Sequence, residues 1–147
     1  MKIGPIDLGD RPLLLAPMED VTDSPFRQVC KAMGADLVYT EFISSEAVVR
    51  HVGRAMHKMS FEEMERPFGI QLFGGREEAM EGAAAIAVAE RPDLVDINFG
   101  CPVYKIVDIG AGAACLRDLG MMERMARTVV RSVAESSPET PVTVKTR

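Results

Sequence analysis

The most informative segment of this chain is Leu94-Val95-Asp96-Ile97-Asn98-Phe99-Gly100-Cys101-Pro102, residues 94–102. Apolar residues alternate with Asp96 and Asn98, which predicts a buried strand with two polar side chains on one face. Gly100 and Pro102 then end the strand. We therefore expect Cys101 to lie in the loop that follows, with its thiol exposed at the mouth of a site rather than packed in a core.

The same unit, a short apolar strand followed by a helix, recurs on both sides of this segment. The predicted strands are Leu13–Met18, Leu37–Phe42, Phe68–Phe73, Leu94–Phe99 and Val142–Lys145. The predicted helices are Asp23 or Ser24 to Met33, Ser45–Lys58, Glu77–Glu90 and Met121–Ser136. Alternating strands and helices of this size indicate an α/β protein with a parallel sheet, either a (β/α)8 TIM barrel or a doubly wound sheet.

The length of 147 residues sets how much of a barrel the chain can hold. A complete (β/α)8 barrel takes about 250 residues, so five strands and four helices form only part of one. We expect residues 1–147 to be the N-terminal portion of such a barrel. An open five-stranded sheet leaves unpaired edges at its first and fifth strands, which predicts a tendency to self-association.

The composition is that of an ordinary globular domain, with 47% hydrophobic and 27% charged residues. No apolar run reaches the roughly 18 residues of a membrane span, and the N-terminus has no secretory signal, so we expect a cytoplasmic protein. The formal net charge is −5, and no basic patch is visible. Most of the non-specific affinity of a protein for RNA comes from lysine and arginine side chains that neutralise phosphates. If RNA is the substrate, most of the RNA-binding surface must therefore lie elsewhere.

Three polar side chains fall near the carboxyl ends of consecutive predicted strands. Gln71, Asn98 and Lys145 each point away from the apolar, helix-facing side of their strand. In a barrel this is the inward face, at the end where active sites form. Because buried polar groups without partners are costly, their convergence predicts a polar ligand. The alternative is that they hydrogen-bond to one another inside the barrel.

Of the three cysteines, only Cys101 has the position of a functional group. An ordinary thiol with a pKa of about 8.5 is protonated at neutral pH and can donate a proton. Cys30 and Cys115 are more simply explained as small buried side chains.

Other patterns carry less information. His51 and His57 have no third ligand nearby, so no metal site is predicted. The acidic residues of 62–65 are interpreted as a solvated face. Gly110-Ala111-Gly112 lacks the third glycine and the preceding strand of a dinucleotide-binding fingerprint, so it indicates a flexible or closely packed loop near the site.

Several motifs, taken in order, resemble the tRNA-dihydrouridine synthase family. They are Ala16-Pro17-Met18, Val21-Thr22-Asp23, Pro25-Phe26-Arg27, Ile70-Gln71-Leu72-Phe73-Gly74, the Asp96–Pro102 segment with Lys105 close behind, Gly110-Ala111-Gly112, Leu116-Arg117-Asp118 and Val142-Thr143-Val144-Lys145. Each motif is weakly specific by itself, but the ordered set covers essentially the whole chain.

The resemblance implies a (β/α)8 barrel that binds FMN and uses NADPH or NADH to reduce uridines of tRNA to dihydrouridine. Ala16, Pro17 and Met18 would line the flavin ring, with Gln71 at its pyrimidine edge and Lys145 near its N1 atom. The substrate would be held by Asn98, Lys105 and Arg147, and Cys101 would protonate C5 of the uracil while hydride reaches C6. The resemblance further implies a C-terminal barrel half and a helical tRNA-binding domain, both absent from these 147 residues.

The chain departs from the family pattern at a few positions. Asp108 and Ile109 stand where basic residues are usual, Glu19-Asp20 replaces a small pair, and Phe99 replaces a common methionine. Two alternatives remain open. One is another FMN-binding TIM-barrel oxidoreductase, such as a dihydroorotate dehydrogenase. The other is a non-catalytic half-barrel.

Overall fold

The structure, a computed structural model, describes all residues from 1 to 147, and its centre is a parallel sheet. The seven strands are β1 Lys2–Ile3, β2 Ile6–Asp7, β3 Val38–Tyr39, β4 Ile43–Ser44, β5 Phe68–Phe73, β6 Leu94–Asn98 and β7 Val142–Lys145. The six helices are α1 Ser24–Ala32, α2 Ser45–Val49, α3 Gly53–Lys58, α4 Glu77–Ala89, α5 Tyr104–Asp108 and α6 Leu119–Ser136. Strands β3 and β4 both pair with β5, β5 pairs with β6, and β6 pairs with β7, all in parallel. The predicted α/β class and parallel sheet are confirmed.

The predicted strand Leu13–Met18 is wrong as a continuous strand. Its only ladder contact is a single bridge between Leu14 and Leu37, supported by the Leu15 N–H bonding to the Leu37 carbonyl at 2.9 Å. The segment has a strand partner on one side only. Pro12 precedes the segment and Pro17 lies within it, and neither has an N–H to donate to a neighbouring strand.

The predicted strand Leu37–Phe42 is divided into β3 and β4 by residues 40–42. Thr40 explains the interruption, because its side-chain Oγ1 accepts the backbone N–H of Gln71 at 3.0 Å. In a continuous parallel strand a backbone carbonyl would take that N–H. The side chain therefore replaces one bond of the ladder, and the backbone can leave the sheet before β4.

The predicted helix Ser45–Lys58 is likewise two helices, α2 and α3. His51 lies between them with φ at +51°, a conformation that ends a right-handed helix. The segment predicted as a loop after β6 contains α5 and a 3₁₀-helix, Gly112–Arg117. The predicted start of α1 is confirmed, since the Asp23 carboxylate accepts the N–H of Phe26 at 3.1 Å and Pro25 lies in the first turn.

The main core lies between the sheet and the helices α4 and α6. From β5 and β6, the side chains of Ile70, Leu72, Val95 and Ile97 are fully buried there. The helices contribute the buried residues Met80, Ala83, Ala84, Ala87, Met125, Val129 and Val133. Alternation along the strands leaves Gln71, Asp96 and Asn98 on the opposite face of the sheet.

The N-terminal residues form an antiparallel hairpin, β1–β2, that the sequence reading missed. Ile3, Ile6 and Leu8 pack against Leu37 and Leu94, at the beginning of the sheet strands. The hairpin thus covers the amino-terminal end of the sheet and leaves the carboxyl end open.

A buried ion pair attaches α1 to the segment before β5. Arg27 Nε lies 2.5 Å from Glu65 Oε2, and their side chains are 3% and 0% exposed. Glu65 also accepts from the Ser24 hydroxyl, and Arg27 donates to the carbonyls of Thr22 and Ser60. The prediction of a solvated acidic face is therefore wrong for Glu65. Glu62 and Glu63 are exposed as expected.

No helix of the chain combines the length and hydropathy that crossing a bilayer requires.

Candidate functional site

A chain of buried hydrogen bonds crosses the open face of the sheet from β5 to β7. In the parallel register Gln71 is opposite Asp96, and Asp96 is opposite Thr143. Gln71 Nε2 donates to Asp96 Oδ2 at 2.6 Å, and the Thr143 hydroxyl donates to Asp96 Oδ1 at 2.5 Å. Both carboxylate oxygens of Asp96 are thus satisfied by side chains on the neighbouring strands.

Asn98 continues this chain toward the loop that holds Cys101. Its Nδ2 donates to Gln71 Oε1 at 2.9 Å, while its Oδ1 accepts the N–H groups of Gly100 at 3.1 Å and Cys101 at 2.9 Å. Asn98 therefore fixes the backbone at the end of β6. The sequence left open whether Gln71 and Asn98 bind a ligand or hydrogen-bond to each other, and in the structure they hydrogen-bond to each other. Gln71 is also fully buried.

Burial raises the pKa of two groups on this face, Asp96 and Tyr39. The pKa of the Asp96 carboxyl is raised, and burial is the largest cause of the shift. The hydrogen bonds from Thr143 and Gln71 and the positive charge of Lys145 lower this pKa and partly offset the effect of burial. Burial also raises the pKa of Tyr39 to about 12, and the negative charge of Asp96 adds to that shift. The face thus disfavours additional negative charge near Asp96.

Cys101 lies directly after this network, but it is buried rather than exposed, which contradicts the expectation of an exposed thiol. Its residue exposure is 8%, and it packs with Ile106 and Ala111. The cause is the loop that follows. The N–H of Ala113 bonds to the Cys101 carbonyl at 2.9 Å, and a Cβ on Gly112 would lie 2.7 Å from that same oxygen. Gly112, at φ +59°, is therefore closely packed against the cysteine.

One cavity of about 420 Å³ brings together five of the predicted site residues at the carboxyl ends of β6 and β7. They are Pro17, Asn98, Cys101, Lys145 and Arg147, and the remaining lining residues are Phe42, Gly100, Pro102 and Thr146. We call this space the Cys101 cavity. It holds a thiol, an amide and two basic residues, which is a set able to bind an anionic or hydrogen-bonding ligand and to donate a proton.

The other predicted site residues lie around this cavity rather than in it. Ala16 lines a neighbouring space of about 330 Å³, together with Asp96 and Thr143, and Pro17 and Lys145 border both spaces. Met18 is 38% exposed, and Gln71 lies beneath the surface in the hydrogen-bond network. Lys105 lines a separate and larger cleft that also includes Phe42.

The turn after Pro17 is held in place by residues that the sequence reading missed. Thr22 closes the turn, with its hydroxyl donating to the Met18 carbonyl at 3.0 Å. Glu41 accepts the N–H of Asp20 at 2.6 Å, and Lys58 Nζ lies 2.6 Å from Glu19 and 3.3 Å from Glu41. The carboxylates of Glu19, Asp20 and Glu41 all lie within 4.8 Å of one another. The available signal was Glu19-Asp20 after Ala16-Pro17-Met18, since two adjacent acids attract a nearby basic side chain.

The amino-acid sequence is similar to that of a known enzyme family along most of its length. The profile of the family described as Dihydrouridine synthase (Dus) matches residues 14–147. The chain is 35% identical over its full length to tRNA-dihydrouridine synthase B of Pseudomonas aeruginosa, covering 42% of that protein. It is 38% identical to Probable tRNA-dihydrouridine synthase 1 of Synechocystis sp., covering 100% of this chain and 40% of the relative. It is also 39% identical over 122 residues to Probable tRNA-dihydrouridine synthase of Aquifex aeolicus, covering 82% of this chain and 38% of the relative. The chain thus spans about two fifths of the length of the curated relatives it matches.

Proposed function

This chain belongs to the dihydrouridine synthase family, and we propose that it contributes the catalytic Cys101 cavity of a flavin-dependent enzyme that reduces uridine in tRNA to 5,6-dihydrouridine. The observation that carries the proposal is the placement of Cys101, Asn98, Lys145, Arg147 and Pro17 around one cavity. The proposed fold of the complete enzyme is a (β/α)8 barrel, in which β7 would pair with further strands.

The residues present fit FMN at this edge of the sheet. Ala16 and Pro17 offer small apolar surfaces, and the exposed Met18 follows them. Lys145 lines both neighbouring spaces, so its ammonium group can stabilise negative charge on an aromatic ring system placed there. When bound, the flavin would supply the hydride for C6 of the uracil, after reduction by NADPH or NADH.

Gln71 is only partly free to hydrogen-bond to the pyrimidine edge of a flavin. Its amide already donates to Asp96 and accepts from Asn98, which leaves one N–H and one oxygen lone pair for a ligand. Its side chain is also fully buried. We propose that Gln71 acts first by orienting Asn98, and that any contact with the flavin edge uses the remaining N–H.

Cys101 would protonate C5 of the uracil. Hydride addition at C6 leaves electron density at C5 that must accept a proton, and the Cys101 thiol, which lines the cavity, would donate it. Asn98 holds the Cys101 backbone through its Oδ1 and keeps one N–H for the base. Arg147 in the cavity and Lys105 beside it are proposed to contact the tRNA.

The proposed substrate, tRNA, implies a cytoplasmic enzyme. The net charge of −5 and the coverage of about two fifths of the curated relatives indicate that residues 1–147 alone do not supply the whole RNA-binding surface. We therefore propose that these residues are inactive by themselves, and that their exposed sheet edges favour self-association.

The test is to measure dihydrouridine in tRNA from a strain with no redundant synthase in which the gene that encodes this chain is deleted. We expect dihydrouridine to be lost from at least one position. A chromosomal Cys101→Ala allele should slow uridine reduction by about 10²–10⁴-fold, because the proton donor is removed, while flavin stays bound. The matched control is Cys30→Ala, because Cys30 is a half-buried cysteine on α1 that lines neither the Cys101 cavity nor the space beside Ala16.

The outcomes separate the substrate from the role of the cysteine. Unchanged dihydrouridine after deletion would contradict the proposed substrate. Loss on deletion combined with normal dihydrouridine formation in the Cys101→Ala strain would contradict the proton-donor role alone.

A further inference from the structure

A second cleft lies beside the Cys101 cavity, at the carboxyl ends of β4 and β5. Its volume is about 640 Å³, and we call it the Phe42–Phe73 cleft after the two rings that line it. The rings meet edge to face, with centroids 5.4 Å apart and planes at 77°. The other apolar lining residues are Ile43, Ala47, Val52, Ala55, Val103 and Ile106.

The exposure of this lining shows that the cleft is open. Val52 and Val103 are 46% and 52% exposed, and both phenylalanine rings are only partly buried. Exposed apolar side chains that are grouped and bordered by charges mark interaction sites more often than scattered ones do. The cleft therefore offers apolar and aromatic surface to a binding partner.

The cleft is continuous with the Cys101 cavity. Phe42 lines both spaces, and Phe42 and Phe73 pack on the small cluster formed by Cys101, Ile106 and Ala111. Helix α5, which contributes Ile106, begins three residues after Cys101. A ligand that extends beyond the Cys101 cavity in this direction enters the cleft.

One basic side chain of the cleft is free to contact an anionic group. Lys58 is paired with Glu19 at 2.6 Å and with Glu41 at 3.3 Å, and Arg54 is paired with Asp20 at 3.2 Å, so both of these basic side chains are already engaged by carboxylates. Lys105, the remaining charged residue of the lining, is exposed and has no ion-pair partner. Beside it is Tyr104, which is 78% exposed. Aromatic surface next to a free lysine is the combination that binds unpaired nucleotides, through base stacking and a phosphate contact.

We propose that the Phe42–Phe73 cleft holds an unpaired base of the tRNA that flanks the target uridine, with Lys105 contacting its phosphate. This inference rests on the proposed function, and it names where the strand continues beyond the Cys101 cavity. The apolar walls present a stacking surface and few hydrogen-bonding groups, so the cleft accepts different bases.

The direct test is photocrosslinking. The protein, purified as its gene encodes it, is irradiated with tRNA transcripts that carry 4-thiouridine at random uridine positions, and crosslinked peptides and nucleotides are identified together by mass spectrometry. We expect the modified uridine to crosslink within residues 98–102 and a neighbouring position to crosslink to the peptides containing Phe42, Phe73 or Tyr104.

A pair of variants gives a second measurement. Val103→Glu places a negative charge at the rim of the cleft and should weaken tRNA binding by about tenfold, as expected for loss of one stacked base. Val130→Glu is the matched control, because Val130 lies on α6 and is 50% exposed, close to the 52% of Val103. It makes the same change in net charge, and we expect it to change binding less than twofold.

The outcomes distinguish this inference from the proposed function. Crosslinks to residues 98–102 with neighbouring positions elsewhere, or equal effects of the two variants, would overturn the cleft assignment and leave the proposed function standing. Absence of any tRNA crosslink would overturn both. A shift in self-association caused by Val103→Glu, with tRNA binding unchanged, would assign the cleft to contact with a second copy of the chain and overturn the nucleotide proposal.

Discussion

Replacement of Gln71 by methionine should destabilise the chain, because Gln71 joins two buried polar groups. Asp96 and Asn98 are 3% and 7% exposed, and the replacement leaves the Asp96 Oδ2 atom without its donor and the Asn98 Nδ2 atom without its acceptor. Each orphaned group costs about 1–3 kcal/mol. A buried methionine returns about 1.5–3 kcal/mol of hydrophobic stabilisation. The expected net loss of unfolding free energy is about 2 kcal/mol.

Urea denaturation measures this loss. With a slope of about 2 kcal/mol per molar urea, the midpoint should fall by about 1 M. The control is Gln28→Met on α1, where a partly buried amide donates to Ser24 Oγ at 3.0 Å; we expect a change within about 0.5 kcal/mol. If Gln71→Met also stays within about 0.5 kcal/mol of the unsubstituted chain, the hydrogen-bond network does not contribute as its geometry indicates.

A charged replacement at the same position adds a pH dependence. In Gln71→Glu the new carboxylate faces Asp96 Oδ2, so repulsion between the two raises the folded-state pKa of the pair. A raised carboxyl pKa means that stability is greatest at acid pH and is lost as pH rises through the folded-state pKa. Gln71→Glu should therefore be less stable than Gln71→Met at pH 8 and regain stability relative to it at pH 5. The opposite order would contradict the proximity of the two side chains.

Two further predictions concern Asp96 and the flavin. Burial raises the pKa of Asp96, so its unfavourable contribution appears as pH rises from the ordinary carboxyl pKa of about 4 through the folded-state value. Asp96→Asn can keep both hydrogen bonds, accepting from Gln71 and donating to Thr143. Its unfolding free energy relative to the unsubstituted chain should increase between pH 4 and pH 7, and a difference that does not change with pH would refute this. The purified 147-residue chain should retain little or no FMN by visible absorbance, because these residues form only part of the proposed barrel and so line only part of a flavin site. A stoichiometric yellow protein would contradict this reasoning.

The elements that the sequence predicted best are those in which apolar and polar residues recur with a regular local spacing. Strands β5, β6 and β7 and helices α4 and α6 were predicted within a few residues, because their apolar residues recur at the spacing of a strand or of a helix. The interruption at Thr40 could not be predicted, since it depends on a side chain that bonds to the backbone of a strand 31 residues away. The break between α2 and α3 at His51 was missed for a different reason, which is the backbone conformation of a single residue. A positive φ at a non-glycine residue has no clear signal in the sequence.

The candidate site shows the same division. Alternation along the strands was enough to place Asn98 and Lys145 on one face, and the structure brings them to the same cavity as Cys101. It was not enough to show that Gln71 and Asn98 bond to each other, or that Gly112 covers the cysteine, because both depend on distances between separate segments. The link from Glu41 to Lys58 was missed because neither residue belongs to a recognisable motif.

The side chain of Phe42 lines both the Cys101 cavity and the Phe42–Phe73 cleft. A molecule that turns the Phe42 ring on one side reshapes the space on the other side, so occupancy of the two becomes energetically linked. Such linkage is reciprocal. If a ligand in the cleft raises the affinity of the Cys101 cavity for uracil by some factor, uracil raises the affinity of the cleft for its ligand by the same factor. One aromatic ring can thus make binding of the two proposed ligands, the flanking nucleotide and the target uracil, cooperative.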